Sequence, residues 1–513
     1  MVWAVKETEI RKSDLTEESL VSEKKENLSI VRELLERFNS DGVNYCHWKS
    51  NQHFCDALTG IDDLDILIDR SQYGHVMNIL QELRFKHFYI PSARTYVGIE
   101  DFLGFDFEQG VLIHLHLHSQ LVVGEKHLKG FHLPVEAEVL SHRRFEEQYS
   151  VYMSSYYDEL LLLVLRAGMK VRRRDVLKAN LITGSTKAEY EWLKEKCPEF
   201  LTNLENTDWL TDRIRLSVTK IYNGKATWLE LNKLKKYLYK DLAPYSQGSG
   251  IHNTVVRNYR EAGRVILEIK KRYLHTKYSL TRRRPATGGV TIAFLGSDGA
   301  GKSSAIAEIQ KWLYAFMDVR FFYLGSGDGN SSILRLPLKA GLKIAQKFGI
   351  VKKSNNFSDE KLETVKNEKL GKARQLWVYT LSSERIKKLR DANRCKLRGF
   401  IVLTDRYPQS EFPGLCDGPR LNNSTGIAAK KEAECFRIAK LCPPDLAIKL
   451  IVPPEVAVQR KPGEITIETS RNLTERVKEI RFSDHTKCVE VDSAQEQKKV
   501  WLDIKRAIWD AIG

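Results

Sequence analysis

The stretch that most restricts what this chain can fold into is Gly296-Ser297-Asp298-Gly299-Ala300-Gly301-Lys302-Ser303. It follows the apolar run Val290-Thr291-Ile292-Ala293-Phe294-Leu295 and leads into helical spacing from Ser304. Strand, glycine-rich loop and helix in that order are the setting in which backbone amides turn toward a triphosphate and a helix N-terminus adds positive potential. Residues Gly296 to Ser304 are therefore read as an ATP-binding segment. Lys302 is expected to reach the β- and γ-phosphates, and the Ser303 hydroxyl to ligate Mg2+.

A chain of 513 residues exceeds one ordinary core, so more than one domain is expected. Charge is distributed unevenly along it. Residues 281–513 carry 42 Lys and Arg against 27 Asp and Glu, whereas the first 280 are near balance at 40 against 39. The basic half is the one with the phosphate loop, as anionic ligands require. No familiar nucleic-acid module accompanies that charge, which places nucleic acid behind small phosphorylated molecules as a partner. No apolar run spans a bilayer, no signal-type leader is visible, and the eight cysteines are scattered without a CxxC pair. A cytoplasmic protein with reduced thiols is expected.

After the loop, short apolar strands recur at Phe321–Leu324, Phe400–Thr404, Leu446–Val452 and Val489–Val491, separated by helical patterns. That alternation predicts an α/β domain with a doubly wound parallel sheet and its ligand site at the carboxyl ends of the strands. Asp405-Arg406-Tyr407 closes one of those strands, with the carboxylate placed to hold magnesium and the guanidinium fork matched to phosphoryl oxygens. Between the second and third strands, Lys339, Lys343 and Lys347 step along an apolar stripe. That helix can lie on an anionic membrane surface or pack on its own domain.

The first half begins with a polar tail, residues 1–27, followed by helical spacing over Leu28–Phe38 and a strand Val43–Trp48. Asp63 and Asp65 then alternate on a strand, so both carboxylates face one side and can hold divalent cations. A hairpin Phe102–Phe107 to Val111–His118 follows, in which His114, His116 and His118 share a face; these imidazoles can complete a metal site or line a polar sheet surface. Cys46, His47, His53 and Cys55 match no standard zinc spacing. From 151 to 285 the pattern is helical, with Trp192, Trp209 and Trp228 as core candidates and Lys170, Arg172, Arg173 and Arg174 as a basic knot. The basic segment ending at Pro285 marks a linker.

Two resemblances sharpen this division. Trp48-Lys49-Ser50 followed by Asp63-Leu64-Asp65 resembles the polymerase-β-type nucleotidyltransferases. The resemblance implies an α+β domain over 28–150 with a helical extension, a triphosphate-holding turn at Lys49 and Ser50, and metals on Asp63 and Asp65. Lys49 stands where that family has glycine, and His114 where a third carboxylate belongs, so His114 joins the expected metal set. Residues 286–513 are similar to the thymidylate kinases, through the acidic phosphate loop, Asp405-Arg406-Tyr407, Pro443-Pro444-Asp445, and the run Val452 to Arg460. That likeness implies an NMP-kinase-like P-loop fold, with Asp298, Arg406 and Tyr407 at the acceptor. It further implies a lid in which Arg460, Lys461 and Arg471 close on the triphosphate. The family's Arg-Glu-Pro-Gly loop and thymine-recognising stretch are absent, so phosphotransfer is implied without thymidylate specificity.

Together these predict a kinase, joined to a metal-dependent nucleotidyltransferase, acting on a small acceptor such as a nucleotide, sugar or envelope-polysaccharide precursor. A homodimer is compatible with this reading. A nucleotide-gated binding protein with a degenerate first half, or a nucleic-acid end-modifying enzyme, are its rivals.

Overall fold

The computed structural model describes residues 27–92, 94–125, 127–176, 180–248, 250–269, 282–325, 368–413, 415–421, 425–463 and 465–513. The tail over 1–26, residues 270–281 of the basic segment and the lysine-striped 334–348 singled out above lie outside the described residues.

The phosphate loop sits in a five-stranded sheet. Before it, in chain order, come β1 (Tyr45–His47), β2 (Leu64–Ile68), β3 (Lys86–Tyr89), β4 (Ile99–Phe105), β5 (Leu112–His118), β6 (Val122–Val123), β7 (Phe131–His132), β8 (Arg144–Glu146), β9 (Val151–Met153) and β10 (Arg284–Pro285). The second half then supplies β11 (Val290–Gly296), β12 (Val319–Tyr323), β13 (Ile401–Asp405), β14 (Leu446–Ile451) and β15 (Lys487–Asp492). These five run parallel in the order β12-β13-β11-β14-β15. Parallel strands need crossover helices, and burial on both faces explains why β11, β13 and β14 are almost wholly apolar. Because β11 lies between β13 and β14, the loops after β11 and β13 emerge side by side at one end of the sheet.

The first half builds a mixed sheet in the order β10-β3-β4-β5-β2-β1-β9-β8. Its first helix, Ser29–Ser40, buries Ile30, Val31, Leu34, Leu35 and Phe38, the residues whose spacing marked it in the sequence. Mostly helical residues from Tyr157 to Leu242 share an apolar core with Cys46, Trp48, Leu67, Val123 and Phe131, and Trp192, Trp209 and Trp228 pack against it. The eight cysteines are all free. Among the described residues no helix is long and apolar enough to cross a membrane.

The two sheets are not independent. Phe88, Leu103, Phe105 and Leu112 of the first share one core with Ile292, Phe294, Ile309 and Trp509 of the second half. The Phe105 ring lies 5.7 Å from Trp312 and 5.9 Å from Trp509. Lys86 Nζ donates to the Trp509 carbonyl at 2.6 Å. The segment read as a linker ends as an edge strand, β10 pairing antiparallel with β3.

Candidate active sites at the phosphate loop and the Asp–His sheet face

The loop after β11 turns on glycines whose backbone a side chain resists. Gly299 and Gly301 take φ of 85° and 86°. A Cβ on Gly299 would lie 2.7 Å from the Ala457 carbonyl oxygen, so the loop passes directly against the helix Pro454–Arg460. The helix Lys302–Tyr314 starts at once, with Gly301 as its N-cap, and brings its free amides to the loop. Lys302 is buried and folds back, its Nζ donating to the carbonyls of Gly296 at 2.8 Å and Ser297 at 2.9 Å. Burial, reinforced by the neighbouring Arg406, lowers its pKa to about 8.

β13 carries its two terminal residues to the same place. Phe294 of β11 pairs with Asp405, and the Arg406 amide donates to the Phe294 carbonyl at 3.0 Å. Arg406 holds a left-handed φ of 67°, a conformation costly for a side-chain-bearing residue and typical of functional positions. Its guanidinium bridges Asp298 at 3.0 Å and Asp417 at 3.2 Å, while Arg385 also pairs with Asp417 and donates through Nε to the Leu324 carbonyl at 2.7 Å. The Asp405 Oδ1 is buried without a hydrogen-bond partner, and burial raises its carboxyl pKa. A cation or its water is what satisfies such an oxygen, so Asp405 with the exposed Ser303 fits the donor set of magnesium.

A cavity beside the loop is lined by Ser297, Asp298, Arg406, Asp417, Leu473 and Val477, among others. Leu473 and Val477 come from the helix Ile467–Glu479, whose Thr474 hydroxyl reaches the Ser297 Oγ at 3.3 Å. Arg460 lies over the loop, donating to the Ser493 carbonyl at 2.9 Å and the Gly299 carbonyl at 3.5 Å. Lys461, half-buried, follows it. Two expected residues lie elsewhere. Arg471 is exposed on a different face of the helix that contributes Leu473 and Val477, because helical geometry turns positions two apart away from each other. Tyr407 is a core residue: its ring packs on Phe482 and its hydroxyl donates to the Cys442 carbonyl, the usual fate of a phenol buried among apolar groups.

In the first sheet, parallel pairing sets Asp65 opposite His116 and antiparallel pairing sets Asp101 opposite His116. One imidazole thus lies between carboxylates on both neighbouring strands. Burial opposes its charge, but Asp101 and Asp65 overcome that and raise its pKa to about 9. His114 bridges Asp63 at 2.7 Å and Asp101 at 2.8 Å. Among the described residues, those that approach closely enough to share one ion are Asp63, His114 and His116. The set expected from sequence was Asp63, Asp65 and His114, and it changes because Asp65 is engaged by Lys49 at 2.8 Å and by His116 and His118, each at 3.3 Å. Asp101 is also held by Arg283 Nε at 3.0 Å, from the segment just before β10. The turn at Lys49 and Ser50 differs from expectation as well. Ser50 has φ of 59°, but its amide donates to Glu189 and the Asn51 amide to Glu159, so carboxylates of this chain fill the place foreseen for phosphate. Cys46 and His47 are buried in β1 while Cys55 is exposed against the Tyr149 hydroxyl, so they do not gather.

Sequence reasoning missed Asp101, Arg283, Arg385 and Asp417, while His116 was among the three imidazoles it placed on the metal-facing side. Asp101 lies one residue outside the hairpin read from the sequence; had the strand been extended backward, alternation would have placed it on the face of the histidines. For Arg283, Arg385 and Asp417 only long-range packing makes the connection.

Fold and loop together define a parallel α/β domain with a glycine loop of the phosphate-binding kind, packed on an α+β domain that carries an Asp–His sheet face. No family model matches the chain. It is 33% identical over 181 residues to "Uncharacterized ATP-binding protein YghS" of Escherichia coli K12, covering 33% of this chain and 73% of that protein. It is 29% identical over 230 residues to "Uncharacterized ATP-binding protein YghR" of the same strain, covering 42% of this chain and 86% of the relative. The chain belongs to the family of these proteins. Among solved structures, a deoxyadenosine kinase from M. mycoides with bound dATP is matched at a TM-score of 0.24 and 17% identity, over 42% of this chain and 98% of that one.

Proposed function

We propose that residues 286–513 form an ATP-dependent phosphotransferase acting on a small acceptor. The observation that carries this reading is the convergence of Lys302, Asp405, Arg406 and Asp298 on one loop at the carboxyl ends of parallel strands. Kinship with two proteins described as ATP-binding supports the choice of nucleotide. The loop amides and Lys302 grip the triphosphate tail, and Ser303 and Asp405 would hold Mg2+, which when bound neutralises charge between the β- and γ-phosphates. Arg406, steadied by Asp417, presents its fork to the acceptor or the migrating phosphoryl group, with Asp298 facing it. Arg460 and Lys461 cover the loop and restrict water, which a kinase must exclude to avoid hydrolysis. Lys302→Ala is expected to abolish ATP turnover and acceptor phosphorylation while leaving the far-UV circular dichroism unchanged. Turnover equal to the parent would refute the assignment.

For the first half we propose a nucleotidyltransferase-like domain that recognises the same acceptor and holds a metal on Asp63, His114 and His116. A second reading, recognition without transfer, is favoured by one specific observation: Lys49 and Arg283 already neutralise Asp65 and Asp101, and Glu189 and Glu159 already accept from the turn amides.

A further inference from the structure

On the Asp–His face of the first sheet, strand register decides which carboxylate lies where. Asp101 of β4 pairs with His116 of β5, and Leu103 pairs with His114, so one carboxylate lies beside two rings that alternate onto the same face. Its Oδ1 lies 2.8 Å from Nε2 of His114 and 3.5 Å from Nε2 of His116, and Arg283 Nε donates to it at 3.0 Å. Asp101 is buried. The opposite ring nitrogens turn toward Asp63, which precedes β2 and is half-exposed. Nδ1 of His114 lies 2.7 Å from one Asp63 oxygen, and Nδ1 of His116 lies 3.7 Å from the other. Both imidazoles thus stand in the same sense, Nε2 to the inner carboxylate and Nδ1 to the outer one.

The neighbours of His114 also fix where its proton sits. Arg283 Nη2 donates to Nδ1 at 3.2 Å, which makes that nitrogen an acceptor and leaves the proton on Nε2, where Asp101 accepts it. The Nδ1 lone pair then faces a carboxylate oxygen at 2.7 Å, and two acceptors that close repel unless they share a cation. Ligands about 2.1 Å from a tetrahedral ion lie roughly 3.4 Å apart. The separations of 2.7 and 3.7 Å bracket that value. A carboxylate behind the far ring nitrogens is the outer shell that orients metal-binding histidines.

The donor set selects the ion. Lys49 holds Asp65 at 2.8 Å and Arg283 holds Asp101, so among the described residues Asp63 is the carboxylate of this face that meets no lysine or arginine. One carboxylate and two imidazoles suit Mg2+ poorly, because it demands an octahedron of oxygens, and suit Zn2+ or Co2+ well. We propose that Asp63 and the Nδ1 atoms of His114 and His116 bind a divalent transition metal of the zinc class, and that Asp101 is the positioning residue that orients both rings. This rests on the metal-binding reading of the first half and names its ion, which differs from the Mg2+ assigned to the phosphate loop. The ion displaces Arg283 Nη2 from Nδ1, while Nε keeps its bond to Asp101. Exposure on the side of Asp63 and His116 leaves a coordination position for water or a substrate oxygen.

The test is titration of Co2+ into the metal-stripped full chain without nucleotide, followed by visible absorption and calorimetry. One equivalent should bind with a ligand-field band, yield to equimolar Zn2+, and resist about a hundredfold excess of Mg2+. Asp63→Asn and His116→Gln should each weaken binding about a hundredfold or more, and Asp101→Asn, which keeps all three ligands, about 10–100-fold. Where Asp101→Asn lowers the unfolding midpoint, the two more exposed variants carry the test. Absent binding, affinity undiminished in the folded ligand variants, or displacement of Co2+ by equimolar Mg2+ overturns the proposal. Binding is read apart from catalysis. Co2+ held by a chain that transfers no nucleotide refutes the transferase reading and leaves this site standing, whereas Mg2+-dependent transfer with no Co2+ bound does the reverse.

Discussion

Asp417 offers the sharpest test of how the phosphate-loop site is held together. Its side chain is only 2% exposed, and it pairs with Arg385, 5% exposed, and Arg406, 30% exposed. Asp417→Asn keeps the volume and removes the charge, leaving two guanidinium groups facing each other without an anion between them. Breaking a buried pair by neutralising one member costs about 3–5 kcal/mol. Most of that comes from Arg385, because water screens the partly exposed Arg406. For a domain of about the size of the second half, each kcal/mol lowers the unfolding midpoint by about 2–4 °C, so a drop of roughly 10 °C is expected. Differential scanning calorimetry of the parent, Asp417→Asn, Arg385→Leu and the double variant Arg385→Leu/Asp417→Leu provides the assay. The double variant should be more stable than the sum of its parts predicts, since an apolar pair of similar volume replaces a buried ion pair at little cost. A midpoint for Asp417→Asn within about 1 °C of the parent, or strict additivity in the cycle, would refute the reasoning.

Three further outcomes are expected. Gly299→Ala forces a Cβ against the Ala457 carbonyl at a left-handed φ, a conformational cost of about 1–2 kcal/mol before the clash, so ATP affinity should fall at least tenfold by titration calorimetry; parental affinity would show that the loop does not need this approach. Asp63→Asn should abolish metal-dependent nucleotidyl transfer and spare ATP turnover, and equal transfer by a folded variant would leave only the recognition reading of the first half. Glu159 is buried and accepts from the Asn51 amide and side chain, and burial raises its carboxyl pKa to about 7. The folded chain therefore binds this proton more tightly than the unfolded one, and stability should fall as pH rises from about 4.5 through 7, by on the order of 3 kcal/mol. Urea midpoints from pH 5 to 8 should slope downward in the parent and flatten in Glu159→Gln; equal slopes would dismiss Glu159 as the source.

Much of this molecule was readable before any coordinates. The five parallel strands appear where apolar runs stood, with ends shifted by a residue or two; for β11, β13 and β14 the reason is that a strand buried on both faces needs an uninterrupted apolar stretch. The histidines of β5 share a face as strand alternation requires. Other expectations failed for equally physical reasons. Tyr407 looked like a site residue because it follows Asp405 and Arg406, but only packing shows its ring turned into the core. The Lys49–Ser50 turn looked open to phosphate, and only the arrival of Glu189 and Glu159 from distant helices closes it.

The sequence by itself determined the phosphate loop, because its chemistry is local: glycines free the backbone, a following helix turns amides outward, and a lysine lies within reach along the same segment. Tertiary structure alone decided which charges meet. Asp417 reaches Arg406 around a loop, and Arg283 reaches Asp101 across 182 positions. Electrostatic partners depend on distance in space, and a one-dimensional pattern carries spacing along the chain but not the folding that brings remote side chains together.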